Sequence, residues 1–233
     1  GGYAEYAVVP AWKLVQLPAE ISFGQGAAVM LQGMTAHYLS HDTFVLQPGV
    51  HALVHAAAGG TGQLLVQMAR LCGAQVAAVV STPEKGEIAR GCGAGEVLYS
   101  GDPEWPQQAR AWSGGRGVDV VYDSVGAATF EGSLAALRVR GMLVLFGQAS
   151  GPVPPFDPGR LAAAGSLYLT RPVLASYAAS AEEVQRRSGD LFAWMGEERL
   201  QVVIAREFAL ADAAAAQDFL HSRRALGKVL LVP

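Results

Sequence analysis

The stretch LVHAAAGGTGQLLVQMARLCGAQVAAVV, residues 53–80, decides the fold. Its start belongs to an apolar run, His51–His55 (HALVH), which follows the turn pair Pro48-Gly49 and closes on AAAGGTG, Ala56–Gly62. From Gln63 to Cys72 the period changes. Leu64, Leu65, Met68, Leu71 and Cys72 stand at i, i+1, i+4, i+7 and i+8, with Gln63, Gln67 and Arg70 on the other side, the mark of an amphipathic helix. Gly73 ends it, and Gln75–Val80 (QVAAVV) is a second strand. Strand, glycine loop, helix and strand in about 30 residues make a βαβ unit.

The alternation continues outward. A helix is expected from Pro83 to about Gly91, opened by a proline suited to a first helical position. Glu96–Tyr99 is a third strand, Pro103–Trp112 a helix broken by Gly114-Gly115, and Val118–Tyr122 a fourth strand. Ala127–Arg138 reads as a helix, Met142–Phe146 as a fifth strand and Ser166–Thr170 as a sixth. Strands apolar throughout, alternating with helices, indicate a parallel sheet covered on both faces. The expected class is therefore α/β, a doubly wound sheet. On the flanks, Gly2–Val9 reads as a strand, and a helix begins near Phe23. Ala181–Gly196 is a helix that Ser180 and Glu183 open as a capping box. Leu200–Leu210 is extended, Asp212–Leu220 helical and Lys228–Val232 a last strand. The expected division is residues 1–30, about 31–171 for the doubly wound domain, and 172–233, the flanks being pieces of a second domain or extensions packing on the first.

Composition narrows the function. The chain has 233 residues, 51% hydrophobic and 16% charged, with a formal net charge of −3. That excludes a disordered chain and gives no basic footprint for nucleic acid. No membrane span is expected, because the longest uncharged run, Thr43–Ala69, is broken by Pro48-Gly49 and by the glycines at 59, 60 and 62. Two cysteines, Cys72 and Cys92, make no disulfide framework and fit a reducing, cytoplasmic setting. Glycine, at 28 residues, is enriched, and it falls at the ends of apolar runs, as tight strand-to-helix turns require.

Ala56-x-x-Gly59-x-x-Gly62 follows a strand and precedes a helix, the context in which glycines let a backbone approach a dinucleotide pyrophosphate. The free N–H groups at the helix start would bind its charge. A tight βα turn without ligand has the same pattern. At the tip of the second strand an NAD site wants an acid for the ribose 2′-hydroxyl. Here the text is Val80-Ser81-Thr82-Pro83-Glu84-Lys85, hydroxyls and a lysine, which leans to the 2′-phosphate of NADP(H); Lys85 also reads as a solvated helix lysine. Arg223, Arg224 and Lys228 would add charge if the tail folds back. His37 and His41 share a helix face but lack a third metal ligand nearby. His51 and His55 share a strand face and read as packing or capping groups. Tyr38 and Tyr122 read as core aromatics with satisfied hydroxyls. No nucleophile elbow, Walker loop or zincin helix is present.

MLQGMTAHYL (Met30–Leu39), LVHAAAGGTGQLLVQMARLCGAQV (Leu53–Val76), VDVVYDSVG (Val118–Gly126), MLVLFGQASG (Met142–Gly151), GSLYLTRP (Gly165–Pro172) and GKVLLVP (Gly227–Pro233) resemble NADPH:quinone oxidoreductases. These form the zeta-crystallin-like, zinc-independent branch of the medium-chain dehydrogenase/reductase superfamily. The resemblance covers essentially the whole chain. It implies a Rossmann domain set into a GroES-like, β-rich catalytic domain, of which residues 1–30 are the end and residues 172–233 the return. Most of that catalytic domain is then absent from this sequence, and with it part of the substrate pocket. It also implies a homodimer, with residues 166–171 pairing edge to edge.

Carried over by position, Ala58, Gly59, Gly60, Thr61 and Gly62 match the pyrophosphate loop. Ser81 and Lys85 match the 2′-phosphate contacts, with Arg223 a further one. Thr35 and Tyr38 line the cofactor, and Ser124 its adenosine side. Leu145, Phe146, Gly147 and Gln148, with Leu169, Thr170 and Arg171, lie along the nicotinamide half. Ser100 stands where relatives carry Tyr or His, with Tyr99 one place earlier, so the adenine stack differs here. Zinc-dependent cousins carry a cysteine ligand near Leu31–Gly33; this chain has none.

The function implied is NADPH-dependent reduction of a quinone by hydride or electron transfer, with no catalytic acid or base assigned, because the cofactor carries the chemistry. The alternatives are an enone or enoyl reductase of the same superfamily and a non-catalytic NADPH-binding protein.

Overall fold

The structure, a computed structural model, describes residues 2–222 and 225–233. Helix α1 (Phe23–Tyr38) leads through a π-helical turn, Leu39–Thr43, into the alternating part of the chain. There β1 (His51–His55), α2 (Gly60–Leu71), β2 (Gln75–Val80), α3 (Pro83–Gly91), β3 (Glu96–Tyr99), α4 (Trp105–Trp112) and β4 (Val118–Asp123) follow one another. Then come α5 (Phe130–Ala136), β5 (Leu137–Leu145), α6 (Gly159–Ala163) and β6 (Tyr168–Thr170). The six strands form one sheet in the order β3-β2-β1-β4-β5-β6, every neighbouring pair parallel. This is the doubly wound order whose reversal at β1 and β4 opens a crevice at the strands' carboxyl ends.

Alternate side chains of each strand feed two cores. Ala52, Val54, Val76, Ala78, Val80, Tyr122 and Val144 pack with α1 and α2, whereas Leu53, Ala77, Val79, Val121 and Leu143 pack with α4 and α5. Each such fully buried Leu or Val contributes roughly 1.5–3 kcal/mol relative to exposure. The continuous apolar strands of the sequence are thus explained by burial on both faces. Tyr122 behaves as expected of a core aromatic: its hydroxyl reaches Leu39 O at 3.1 Å and Phe44 O at 3.3 Å, holding both ends of the π-turn.

After β6 come α7 (Leu174–Tyr177), α8 (Ala181–Gly196), β7 (Ile204–Ala209), α9 (Ala213–His221) and β8 (Lys228–Val232). Leu191 and Phe192 of α8 join the α1/α2 core, while β7 and β8 pair with each other, in parallel, as a separate two-stranded sheet. The boundary expected at residue 30/31 lies within α1, a helix opened by a complete capping box of Ser22 and Gln25.

Four expectations change. Gly2–Val9 is not a strand; it is extended, exposed chain that pairs with no strand among the described residues. The helix expected over Ala127–Arg138 is shorter, and β5 begins at Leu137, five residues before Met142. At α8 the box is displaced: Ser180 Oγ accepts from Glu183 N–H, but Glu183 Oε2 accepts from Ala179 N–H instead of Ser180 N–H. Gln63 is buried among the apolar residues of α2, its amide donating to Ala58 O at 2.7 Å and Leu226 O at 3.4 Å.

Candidate functional site

The glycine loop connects the buried end of β1 to α2. Gly59 is the N-cap and no side chain caps the helix. Its first bond runs from Gln63 N–H to Gly59 C=O, 2.8 Å, so the N–H groups of Gly60, Thr61 and Gly62 have no helical partner. They are the positive end of a 12-residue helix, open to a negative group. Gly62 permits the close turn: a Cβ there would lie 2.4 Å from Ala56 O and 2.7 Å from Ala57 Cα. At Gly59 a Cβ would meet only Ala56 O, at 3.2 Å, so the loop is open on its outer side.

Beside this loop lies a cavity of about 520 Å³, large enough for a nucleoside. Five of the residues expected to hold a cofactor share its wall: Ala58, Gly59, Ser81, Lys85 and Ser100. Lys85 Nζ donates to Ser81 Oγ at 3.0 Å, and Thr82 caps α3 through its hydroxyl, so a cation and a hydroxyl are set side by side at the tip of β2. Among the wall residues His, Ser, Thr and Lys, no carboxylate intervenes. Such a donor set suits a phosphate, and the helix start beside it suits a second anionic group. The residues present therefore fit a phosphorylated dinucleotide.

The remaining expected residues lie outside this wall. Leu145 ends β5 and Phe146, Gly147 and Gln148 follow it, the N–H groups of Phe146 and Gly147 donating to Asp123 O at 2.9 and 3.2 Å. Ser124 packs against Gly147, where a Cβ would approach Ser124 O to 2.4 Å. Leu169 and Thr170 end β6, and Arg171 follows them. Thr35 bonds back to Leu31 O at 2.8 Å within α1. Tyr38 is buried and stacked on Tyr177 at 4.3 Å; burial and Tyr177 push its hydroxyl pKa to about 12, with Arg171 near enough to oppose that. Arg223 and Arg224 lie outside the described residues.

A buried network at the cavity's edge had no functional role assigned in the sequence. The Asp123 carboxylate, fully buried, accepts from Val125 N–H at 2.8 Å, Gly126 N–H at 3.0 Å, the Thr129 hydroxyl at 2.7 Å and the Ser133 hydroxyl at 2.8 Å. Ser133 Oγ in turn lies 3.0 Å from His55 Nε2. His55, edge-on to Trp105 at 4.9 Å, borders the cavity with Trp105 and Thr129. Burial lowers its pKa to about 4, against the pull of Asp123. An Asp followed by Ser-Val-Gly at a strand end is a turn signal that could have marked Asp123.

His37 and His41 do share a face, stacked at 4.5 Å, and Trp194 of α8 lies against both. Among the described residues no group of three or more His, Cys, Asp or Glu side chains is arranged to hold a metal. No helix among them is long and apolar enough to cross a membrane.

Residues 60–186 match the sequence profile of the zinc-binding dehydrogenase family. A quinone oxidoreductase of Pseudomonas aeruginosa is 43% identical over 233 residues, which is 100% of this chain and 72% of that one. A 2-haloacrylate reductase of a Burkholderia species is 39% identical over 236 residues, 100% of this chain and 71% of that one. A mycobacterial protein solved in complex with NADPH superposes with a TM-score of 0.96 at 43% identity, covering 99% of this chain and 71% of its own.

Proposed function

The chain belongs to the zinc-binding dehydrogenase family and groups with its quinone oxidoreductases, and from that membership we propose that it reduces quinones with NADPH. The observation that carries the reading is the cavity lined both by Gly59, the N-cap of α2, and by the Ser81–Lys85 pair. Bound there, NADPH supplies the hydride. The protein's own part is to bind and orient: Ala58 to Gly62 receive the pyrophosphate, and Ser81, Lys85 and Arg223 the 2′-phosphate. Ser100, Ser124, Thr35 and Tyr38 border the bound molecule, and Leu145–Gln148 with Leu169–Arg171 lie along its nicotinamide half. Positioning of this kind lowers the barrier by removing orientational freedom. No side chain is assigned as acid or base; a reduced quinone takes its proton from water.

Four further features belong to the same proposal. Catalysis needs no zinc, since Leu31-Gln32-Gly33 offers no ligand where zinc-dependent relatives carry a cysteine. Residues 31–171 are the cofactor domain, and 1–30 with 172–233 belong to a catalytic domain, a division favoured by the separate β7–β8 sheet. The protein is a homodimer through the β6 edge. It works in the cytoplasm, in keeping with two free cysteines. A second reading, reduction of an activated alkene, is favoured by the similarity to 2-haloacrylate reductase.

The deciding experiment is titration with NADPH and with NADH by nicotinamide fluorescence, followed by addition of 1,4-benzoquinone or an enone. NADPH binding with rapid oxidation by the quinone is expected. Oxidation by the enone alone would transfer the assignment to the second reading, and preference for NADH would remove Ser81 and Lys85 from it.

A further inference from the structure

His55 is held in one tautomer by its surroundings. The Asp123 carboxylate can only accept, so the Ser133 hydroxyl must donate to it, 2.8 Å away. That uses Ser133's single hydrogen, and its oxygen is left to accept from His55 Nε2–H at 3.0 Å. A neutral imidazole that donates from Nε2 carries its lone pair on Nδ1. Among the described residues no group pairs with Nδ1, yet it is absent from the buried polar atoms that lack a partner, of which Thr43 Oγ1 is the single example. The histidine is otherwise 1% exposed, and the space it borders is the cavity. Nδ1 therefore opens on the cavity as a fixed acceptor, opposite in character to the donor-only Lys85.

We propose that His55 contacts the bound cofactor, its Nδ1 accepting a hydrogen bond from the adenosine half, with Ser133 and Asp123 acting as positioning residues that fix the acceptor. This rests on the NADPH reading above. The adenosine half of NADPH has two donors that can serve, the adenine amino group and the ribose 3′-hydroxyl. The strand end places His55 directly before the pyrophosphate loop, on the same wall as Ser81 and Lys85, so the acceptor faces the portion of the molecule between two phosphate sites. Asp123 also holds the Val125–Thr129 loop, so one carboxylate aligns two sides of the cavity.

The test compares wild type with His55→Phe, which keeps a ring against Trp105 but no acceptor, and His55→Asn, whose Oδ1 restores an acceptor near the Nδ1 position. NADPH is titrated by fluorescence and 2′,5′-ADP by displacement. His55→Phe is expected to weaken both ligands about 3- to 12-fold, the worth of one hydrogen bond. His55→Asn should regain most of the loss. If His55→Phe fails to fold, Ser133→Ala serves instead, and a several-fold loss of NADPH affinity at an unchanged melting temperature supports the proposal. The deamino analogue of NADPH identifies the donor: discrimination that vanishes in His55→Phe assigns the amino group, discrimination unchanged assigns the hydroxyl. A folded His55→Phe or Ser133→Ala protein that binds NADPH like wild type overturns the inference and leaves the cofactor reading standing. A wild-type protein that does not bind NADPH overturns both.

Discussion

Lys85 reaches Ser81 across 3.0 Å, and neither side chain is engaged by a carboxylate, so both remain available to a third, anionic partner. Removing the cation while keeping its stem, as in Lys85→Met, is expected to weaken NADPH about 10- to 150-fold, the range for hydrogen bonds to charged groups. NADH, which has no 2′-phosphate, should bind as before; parallel titrations check both statements. The glycines of the loop separate two kinds of constraint. At Gly62 a Cβ would press on backbone, 2.4 Å from Ala56 O, so Gly62→Ala should cost ~1–3 kcal/mol of stability, read as a lower urea midpoint. At Gly60 the nearest atom is the end of the Gln32 side chain, 2.2 Å from the added Cβ, which can swing aside. Gly60→Ala should therefore melt within a few degrees of wild type.

Helices α1 and α8 are joined through His37 by two hydrogen bonds that dictate a pH dependence. His37 Nδ1 accepts from Arg187 at 3.1 Å and its Nε2 donates to Asp190 at 2.8 Å, an arrangement that requires a neutral ring; Arg187 also binds Asp42. Burial lowers the His37 pKa to about 4 despite Asp190. A base whose folded pKa is depressed binds fewer protons folded than unfolded between the two values. Stability is then fully present above about pH 6.5 and falls as the pH drops toward 4, by roughly 2–3 kcal/mol for this histidine. Urea unfolding at pH 7 and pH 4.5 should show that loss, and His37→Asn should reduce the pH dependence by that amount while the share of His55 remains; an equal pH dependence in the two proteins would sink the assignment. Neither Arg187 nor Asp190 is near His37 in sequence, which explains what could be read and what could not. Strands β1, β2, β3 and β8 and helices α3 and α8 were legible at their observed places, because each carries its own period or punctuation, whereas α2 starts at Gly60, three residues before the expected Gln63. Leu134-x-x-Leu137 continues a helical spacing, so the change to β5 at Leu137 was hidden; the strand there runs past Arg140 at φ 59° and a shifted register. Gly2–Val9 has strand residues but no ladder to join. In the site, glycines and the Ser81–Lys85 pair were local text, whereas His55 reads as one more member of an apolar run until Ser133, 78 residues away, arrives beside it.

At the scale of the whole molecule, the sheet's two ends differ. β3 is backed by α3 and α4, while β6, at the other end, is a three-residue strand with Tyr168 57% exposed and Val139 of the neighbouring β5 64% exposed. An edge of this kind presents unpaired backbone groups and apolar side chains, which a monomer would ordinarily cover or charge. A second copy related by a two-fold axis satisfies both needs at once, since the same strand meets itself and the sheet continues across the interface. The proposed association would lie at the β6 edge, three strands along the sheet from β1 and the glycine loop that follows it, and would brace Leu169–Arg171. Light scattering after size exclusion should then give twice the chain mass at micromolar concentration. Tyr168→Lys, a charge on the pairing edge, should give the monomer with 2′,5′-ADP affinity within about twofold, because Ser81 and Lys85 stand past β2, four strands along the sheet from β6. A wild-type monomer, or a lysine variant that remains dimeric, would remove the β6 edge from the assembly.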